Sequence, residues 1–283
     1  MNPAAETIES KWQRLLNCLK AIDRPAVLFS GGVDSTLLLH ACRIACGQEA
    51  VAAVTAMSPL MTAAERQDAG SLARELGIRH VAAETDECAS ADFCANPKDR
   101  CAICKRIRLR AFLDALPESA IFLDGENADD VAEERPGRAV SDAFGVRHPL
   151  LEAGLSKADI RRLAKQADLR VWDRPANACL ATRIPCGQRI TRDKLHRIEI
   201  CENHFRKCTG IRVLRVRHDG SIARIEMPVE DMRRLKPESV IGITDFFRNA
   251  GFDAVLLDLE GYRSGGPRMP LSPSAPESIG ANP

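Results

Sequence analysis

Six consecutive residues, Ser30-Gly31-Gly32-Val33-Asp34-Ser35, constrain the fold of this chain more than any other feature. The apolar run before them, residues 26–29, predicts a strand, and the apolar run after them, residues 36–39, predicts a helix. Two adjacent glycines let the backbone approach an anion closely, and the N–H groups at a helix N-terminus point at it. We call residues 30–35 the glycine loop and expect it to bind phosphate.

The side chains of the glycine loop suit a nucleotide with its metal ion. Ser30 and Ser35 supply hydroxyl donors, and Asp34 supplies a carboxylate for Mg²⁺ at phosphate oxygens. The loop matches neither G-x-x-x-x-G-K-[ST] nor G-x-G-x-x-G, so the P-loop NTPase and dinucleotide interpretations lose their main support. An ordinary strand-to-helix turn capped by Ser or Asp is the structural alternative.

Composition narrows the class of protein. The 283 residues suffice for a nucleotide-binding domain with a smaller partner domain, and the net charge of +1 offers no overall basic surface for nucleic acid. The apolar runs are shorter than the roughly 18 residues that cross a bilayer, and residues 1–20 are too charged for a signal peptide. We therefore expect a soluble cytoplasmic protein without a membrane partner. Its eleven cysteines then favour thiol or metal chemistry over disulfides.

Strand and helix patterns alternate through the first part of the chain. Strands are predicted at residues 26–29, 51–56, 80–84 and 120–123, and helices at residues 11–21, 36–45, 61–76 and 106–116. This alternation predicts a Rossmann-like α/β domain with a parallel, doubly wound sheet and a ligand at the carboxyl ends of its strands. Further on, Ser156 and Asp159 predict a capping box at the start of another helix.

Two polar segments interrupt this alternation. Residues 124–130 follow the fourth strand, and this acidic turn is expected either to face the nucleotide or to be a solvated loop. Residues 88–105 contain Pro97 and are predicted to form a functional loop. That loop carries a C-x-x-C pair and two further thiols: Cys101, Cys104, Cys88 and Cys94. A four-cysteine zinc site is one interpretation, although the spacing before the pair does not match two C-x-x-C arms. A role near the nucleotide or substrate is the other.

The pattern changes after residue 191. A helix at 192–205, strands at 212–218 and 222–227 around Asp219-Gly220, helices at 229–235 and 240–249 and a strand at 254–259 predict a smaller α+β domain. The predicted domains are residues 1–175, which include the glycine loop, and residues 176–265. Residues 266–283, rich in Pro, Ser and Gly, are predicted to be disordered.

Two arginines in the second part share one strand face. Arg215 and Arg217 alternate with apolar residues, so both guanidiniums point to the same side. We expect that side to be exposed and to bind the phosphate or carboxylates of an anionic nucleotide, with Arg224 and Glu226 on the paired strand completing the site. Alternatively, these side chains form a solvated strand face that binds no ligand.

Several motifs carry a resemblance to known families. The glycine loop resembles the SGGxDS loop of the PP-loop ATP pyrophosphatase superfamily. Five further segments, in order, are similar to the LarE family of ATP-dependent sulfur transferases, which help to make the nickel-pincer nucleotide cofactor of lactate racemase: residues 96–105, 124–130, 135–139, 172–185 and 257–265. The resemblance extends from about residue 10 to residue 265. It also implies a homo-oligomer.

The resemblance implies a function and a set of residues. ATP, bound at the glycine loop with Asp124 and Asn127, adenylates a carboxylate of pyridinium-3,5-biscarboxylic acid mononucleotide, which is then converted to a thiocarboxylate. A carboxylate needs a good leaving group before it accepts a nucleophile; AMP provides that group, and a cysteine thiolate is the natural nucleophile. Cys179 matches the sulfur-bearing cysteine of the family, and the cation of Arg183 beside it would lower a thiol pKa or bind phosphate. An inert buried thiol is the alternative for Cys179.

The chain departs from the single-cysteine pattern of that family. Cys179, Cys186 and Cys201 would hold three irons of a [4Fe-4S] cluster whose fourth iron carries an extra sulfide, with Cys208 as an alternative to Cys201. We expect this cluster, because three cysteines lie close together in sequence. In the single-cysteine type, by contrast, the protein gives up its own sulfur, becomes dehydroalanine and turns over once.

Two other functions remain open at the level of sequence. A tRNA thiolation enzyme of the same superfamily would use the same loop and cysteines, but the near-zero net charge argues against it. A non-catalytic sensor of nucleotide and metal would also use the glycine loop.

Overall fold

The computed structural model describes residues 7–132, 136–175 and 178–262. The chain divides into two compact units at the boundary between Ala178 and Cys179. The predicted domain boundary, between residues 175 and 176, adjoins a gap in these ranges, and the predicted disordered tail at residues 266–283 lies outside them.

The first unit contains a parallel sheet and its covering helices. Its strands are β1 (Pro25–Leu28), β2 (Ala52–Met57), β3 (Arg79–Glu84) and β4 (Ile121–Leu123). Its helices are α1 (Ile8–Lys20), α2 (Val33–Cys46), α3 (Ala63–Glu75), α4 (Ala91–Cys94), α5 (Arg100–Ala115), α6 (Pro136–Ala143), α7 (Pro149–Glu152) and α8 (Lys157–Gln166). The order of the strands is β3-β2-β1-β4, and each neighbouring pair is parallel. The predicted parallel α/β sheet, consistent with a Rossmann-like arrangement, is confirmed.

Alternating side chains of the strands fill a core on each face of this sheet. Val27 and Leu123 belong to a buried cluster that includes residues of α1, α2, α3 and α8. Their neighbours Ala26 and Phe122 belong to a second buried cluster that includes residues of α5 and α6. Because successive side chains of a strand point to opposite faces, short apolar runs are enough to build both layers.

The strands of this parallel sheet are added first on one side of β1 and then on the other. From β1 it proceeds to β2 and β3 on one side, and β4 then pairs with the other side of β1. In open parallel sheets, ligands bind outside the carboxyl ends of the strands at such a switch point. Here those ends lead into the glycine loop after β1 and the acidic turn after β4.

The predicted capping box of α8 is confirmed, but one predicted loop is wrong. Ser156 Oγ accepts from Asp159 N at 3.1 Å, and Asp159 Oδ2 accepts from Ser156 N at 3.1 Å. Residues 88–105, predicted to be a loop, instead contain α4 and the beginning of α5. Pro97 lies between the two helices, so it interrupts neither of them.

The second unit packs two helices on a three-stranded sheet. The helices are α9 (Arg192–Thr209) and α10 (Pro237–Asn249), and the strands are β5 (Arg215–Asp219), β6 (Ile222–Glu226) and β7 (Ala254–Leu257). β5 and β6 form an antiparallel hairpin through Gly220, whose φ of +70° suits glycine, and β7 pairs with β6 in parallel. The predicted helix at residues 229–235 is a 3₁₀ helix, Val229–Arg234.

None of the helices that the structure describes combines the length and the apolar composition needed to cross a bilayer.

Candidate functional site

The glycine loop presents the uncapped N-terminus of α2. Gly31 has a φ of +72°, a conformation that suits glycine, and Gly32 precedes α2 without a side-chain cap. The two serine hydroxyls lie 3.2 Å apart, and Ser35 Oγ also donates to Gly32 O at 3.2 Å. The first N–H groups of a helix have no partner within the helix, so this end of α2 is suited to an anion.

Arg174 connects the glycine loop with α3. Its Nη1 donates to Gly31 O at 3.0 Å, and its Nη2 pairs with Asp68 on α3 at 2.5 Å. Asp68 is also paired with Arg170 at 2.6 Å. Arg174 lies 143 residues after Gly31, so no local sequence pattern predicts this contact.

Asp34 has a carboxylate oxygen available for a cation. Its Oδ2 is paired with Lys157 at the start of α8, whereas its Oδ1 is buried and has no hydrogen-bond partner among the described residues. A buried carboxylate oxygen without a partner is costly, and Mg²⁺ prefers oxygen ligands. The arrangement therefore fits the Mg²⁺ ligand that was predicted from the sequence.

The ends of β1 and β4 approach each other at Gly125. A Cβ atom added to Gly125 would lie 3.1 Å from Asp34 Cβ and 3.1 Å from Ser35 N. Such distances are tighter than most real Cβ contacts, so a side chain here would require the neighbouring residues to shift by a few tenths of an ångström. This contact brings the acidic turn against the glycine loop.

Asp124 and Asn127, the two predicted ATP ligands of the acidic turn, both have partners within the protein. Asp124 Oδ2 is 2.9 Å from Lys105 Nζ, and Asp124 Oδ1 is 2.6 Å from His148 Nδ1. Asn127 Oδ1 accepts from Asp129 N at 3.0 Å. Their role in ATP binding stays a prediction.

Asp124 and His148 shift each other's protonation. Burial raises the pKa of Asp124, but the hydrogen bond with His148 and the charge of Lys105 outweigh it, so the pKa lies below its ordinary value. The same hydrogen bond raises the pKa of His148. The sequence analysis did not assign His148 to a site, because it reaches Asp124 only through the pairing of Arg147 with Leu123 at the end of β4.

The cysteines near the acidic turn do not assemble the zinc site. Among the described residues, no three of these thiols lie within 4.8 Å of one another. Cys94 donates to Cys88 O at 3.2 Å, Cys104 lies 3.7 Å from the buried carboxylate of Glu87, and Cys101 is exposed. Cys101 and Cys104 lie at the start of α5, which places them one turn apart on a helix.

In the second unit, three hydrogen bonds hold the carbonyl of Cys179. They come from Thr182 N at 3.0 Å, Thr182 Oγ1 at 2.8 Å and Arg183 Nη1 at 2.9 Å. The thiol of Cys179 is half-buried, at the start of the 3₁₀ helix Leu180–Arg183. The backbone that carries this thiol is thus fixed while the thiol keeps some exposure.

Arg183 is part of a buried ionic network. Its Nε lies 3.0 Å from Glu202 Oε1, and both side chains are almost fully buried. Glu202 also pairs with Arg206 at 2.7 Å and accepts from Val216 N at 3.1 Å. Burial raises the pKa of Glu202, but the charges of Arg183 and Arg206 outweigh it and keep the pKa below its usual value. Arg183 therefore positions the Cys179 segment through its hydrogen bond to the backbone.

The face of β5 and β6 that was expected to be exposed is buried, so that prediction is wrong. Arg215, Arg217 and Arg224 are each 6% exposed, and Glu226 is 2% exposed. Glu226 accepts from Arg217 Nη2 at 2.8 Å and from Arg224 Nη1 at 2.6 Å. Strand alternation predicts the side on which a residue lies but not its burial, and here Arg217 and Arg224 are engaged in ion pairs within the same unit.

Arg217 and Arg215 make different contacts. Arg217 Nη1 donates to Thr182 O at 2.7 Å, which connects β5 with the segment that follows Cys179. Arg215 donates to Leu214 O at 2.8 Å and lies over the ring of Tyr262. Burial lowers the pKa of Arg215, and the nearby charge of Arg183 lowers it further. An anion beside Arg215 would offset that loss of solvation.

The three predicted cluster ligands differ in exposure. Cys186 is exposed and Cys179 is half-buried, but Cys201 lies fully buried in the apolar core with Phe205 and Leu214. Burial raises the pKa of Cys201 to about 12, whereas a cluster ligand must be a thiolate. Among the described residues, the thiols of Cys179, Cys186 and Cys201 do not lie within 4.8 Å of one another, and the cluster stays a prediction. Cys208, on the same helix, is exposed.

Comparison with known proteins places both units in one family. No family model matches the chain. The pyridinium-3,5-bisthiocarboxylic acid mononucleotide synthase of Lactiplantibacillus plantarum, a LarE protein, is 33% identical over 269 residues, which cover 92% of this chain and 94% of the synthase. The chain belongs to the LarE family.

Two further proteins are similar to this chain in sequence. An uncharacterized protein of Synechocystis sp. is 38% identical over 265 residues, covering 91% of this chain and 97% of that protein. An uncharacterized protein of Methanocaldococcus jannaschii is 30% identical over 175 residues, covering 60% of this chain and 66% of that protein. The first of these spans both units, so its similarity is not confined to the glycine loop.

Proposed function

We propose that this LarE family member is an ATP-dependent, AMP-forming sulfur transferase of the PP-loop superfamily. Its substrate would be pyridinium-3,5-biscarboxylic acid mononucleotide, and its product a thiocarboxylate. The observation that carries the proposal is the uncapped glycine loop at the switch point of the sheet, beside the unpartnered Oδ1 of Asp34. The name of the Lactiplantibacillus plantarum relative supports the choice of substrate, since a bisthiocarboxylic acid is made from carboxylates by exchanging oxygen for sulfur.

The glycine loop would serve the activation step. The N–H groups at the start of α2 would bind phosphate oxygens of ATP, and Asp34 would hold the Mg²⁺ that neutralises their charge. A carboxylate oxygen of the substrate attacks the α-phosphorus, and pyrophosphate leaves. The acyl-adenylate formed in this way has AMP as its leaving group.

Cys179 would serve the transfer step. Its thiolate attacks the acyl carbon, a carbon–sulfur bond forms, and AMP leaves with the bonding electrons of the acyl–oxygen bond. A base then removes the α-proton of Cys179, the Cβ–S bond breaks, and the thiocarboxylate leaves a dehydroalanine in the chain. The three hydrogen bonds to its carbonyl would hold Cys179 in place during both reactions.

The arginines would divide into two roles. Arg215 would bind the anionic groups of the substrate, because an anion would offset the solvation that its guanidinium loses on burial. Arg217, Arg224 and Glu226 would hold β5, β6 and the Cys179 segment in register through their ion pairs.

A [4Fe-4S] cluster is the second candidate for the source of sulfur. Three cysteines close together in sequence favour it, but Cys201 would have to leave the core, or Cys208 would have to replace it. Iron and sulfide analysis after anaerobic purification and reconstitution tests this candidate. Loss of iron in Cys208→Ser but not in Cys201→Ser would identify Cys208 as the ligand, and reconstituted protein without iron would exclude the cluster.

The main experiment mixes the protein with Mg²⁺-ATP and the pyridinium biscarboxylate. We expect AMP, pyrophosphate and a thiocarboxylate, and mass spectrometry should show that Cys179 has lost one sulfur and two hydrogens. The variant Cys179→Ala should form AMP but no thiocarboxylate. ATP–pyrophosphate exchange that depends on tRNA would instead favour tRNA thiolation, and no AMP with this carboxylate would favour a sensor.

A further inference from the structure

Three buried side chains beside the glycine loop form a set of metal-ligand type. Asp124 and Glu126 follow β4, and His148 directly precedes α7. One carboxylate oxygen from each acid and one ring nitrogen of His148 all lie within 4.8 Å of one another. Because the pairing of Arg147 with Leu123 sets His148 beside the end of β4, this set forms only in the folded chain.

The two ring nitrogens of His148 face different carboxylates, an arrangement that suits a metal ligand. Its Nδ1 faces Asp124 Oδ1 at 2.6 Å and Glu126 Oε2 at 3.3 Å, and its Nε2 lies 3.3 Å from Asp142 Oδ1. Histidines that bind metals usually donate their other N–H to a carboxylate, which fixes the tautomer. Without a metal, Nδ1 donates to Asp124; once a metal ion displaces that proton, Nε2 keeps its contact with Asp142 and the lone pair of Nδ1 is available to the ion.

Glu126 provides an independent observation. Its side chain is 8% exposed, and its Oε1 is buried without a hydrogen-bond partner among the described residues. Arg138 Nη1 lies 3.4 Å from that oxygen and forms an ion pair with it, without the geometry of a hydrogen bond. Burying a carboxylate oxygen without a hydrogen bond is costly unless a further ligand satisfies it.

Charged side chains around Asp124, Glu126 and His148 determine how much positive charge a ligand could add there. Lys105 pairs with Asp124 through Oδ2, so Oδ1 stays directed at the set. Asp142 adds a third carboxylate behind the imidazole. Arg138 and Lys105 balance two of these three carboxylates, and the third is left to a protonated His148 or to a bound metal ion.

We propose that Asp124, Glu126 and His148 bind a divalent first-row transition-metal ion, such as Mn²⁺ or Zn²⁺, in addition to the Mg²⁺ at Asp34. An imidazole with carboxylates suits these ions, whereas Mg²⁺ prefers oxygen ligands and retains its waters. The metal replaces the direct contact between His148 and Asp124. Binding requires no nucleotide, so the site is independent of the proposed sulfur transfer.

Manganese binding in the absence of nucleotide tests the site. The full chain is titrated with Mn²⁺ in excess Mg²⁺, and bound Mn²⁺ is followed by electron paramagnetic resonance. We expect one bound Mn²⁺ whose pulsed spectrum shows coupling to an imidazole nitrogen. In His148→Gln that coupling should vanish, and the affinity should fall about tenfold or more, because the loss of even an outer-shell partner of a metal ligand costs about 10–100-fold.

Three further variants make the result decisive. Glu126→Gln preserves side-chain volume and should weaken Mn²⁺ binding in the same way, so it settles the question if His148→Gln does not fold. Asp34→Asn should leave this site intact, and so should Asp114→Asn, which changes an exposed carboxylate on α5. Equal Mn²⁺ affinity in the wild type and in Glu126→Gln would overturn the proposal. So would loss of binding in Asp34→Asn.

Discussion

Arg183 and Glu202 form an ion pair, 3.0 Å from Nε to Oε1, inside the second unit. The same guanidinium donates to the carbonyl of Cys179 at 2.9 Å. A buried carboxylate on α9 thus determines where the proposed sulfur donor lies, without contacting its thiol. The positions of Cys179 and Glu202 in the sequence do not reveal this connection.

Glu202→Gln should destabilise the second unit. The change leaves Arg183 and Arg206 without their shared negative charge, and breaking a buried ion pair from one side costs about 3 kcal/mol or more. Hydrogen-exchange mass spectrometry of peptides from the second unit, recorded over a series of urea concentrations, measures the free energy of unfolding of that unit. Glu238→Gln, on an exposed turn of α10, is the control, with a change within about 0.5 kcal/mol. Similar losses in both variants would contradict the role given to the pair.

Gly125→Ala should weaken ATP binding. The new methyl group would lie 3.1 Å from Asp34 Cβ and from Ser35 N, so the glycine loop must shift. Overpacking of this kind costs about 1–3 kcal/mol, and a tenfold loss of affinity corresponds to about 1.4 kcal/mol. Isothermal titration with ATP measures the change. Gly242→Ala, where a Cβ meets nothing within 4 Å, should bind ATP as the wild type does. Unchanged affinity in Gly125→Ala would place ATP elsewhere.

Arg215→Ala should reduce turnover and leave ATP binding intact. A charged hydrogen bond to the substrate contributes about 1.5–3 kcal/mol, so the loss in kcat/KM is about tenfold to hundredfold. Arg215→Lys should restore activity only in part, since an ammonium cannot bind an anion in the two-pronged manner of a guanidinium. Equal losses of turnover and of ATP affinity would count against this assignment.

The cysteines of the second unit should react in an order set by burial. Cys186 and Cys208 are exposed, whereas Cys201 is buried and its pKa is raised to about 12. Alkylation of the native protein at pH 8, followed by peptide mass spectrometry, should label the first two and spare Cys201. After denaturation in guanidinium, all three should be labelled. Rapid native labelling of Cys201 would show that it leaves the core, as a cluster ligand must.

The second unit should lose stability in mild acid through His218. Burial lowers the pKa of His218 to about 4, so between pH 6.5 and pH 4 the unfolded chain binds a proton that the folded chain does not. The free energy of unfolding should therefore decrease as the pH falls through this range. In His218→Leu the decrease should be smaller. A pH dependence equal to that of the wild type would mean that other groups control it.

Local patterns were enough to predict much of the fold. The apolar run before the glycine loop, the glycines themselves and the capping pair of Ser156 and Asp159 act over a few residues, and the structure contains the corresponding elements. The loop predicted at residues 88–105 is wrong, because Pro97 lies between two helices and interrupts neither of them.

The candidate sites depended on contacts between distant parts of the chain. The alternation of β5 correctly placed Arg215 and Arg217 on one face, but only packing showed that this face is buried and paired with Glu226. His148 meets Asp124 across 24 residues, and Arg183 meets Glu202 across 19. Periodicity reports which side of an element a residue occupies, because that depends on backbone geometry alone. What covers that side, and which charges meet there, depends on how the elements pack, so burial, pairing and pKa shifts emerged only in the folded protein.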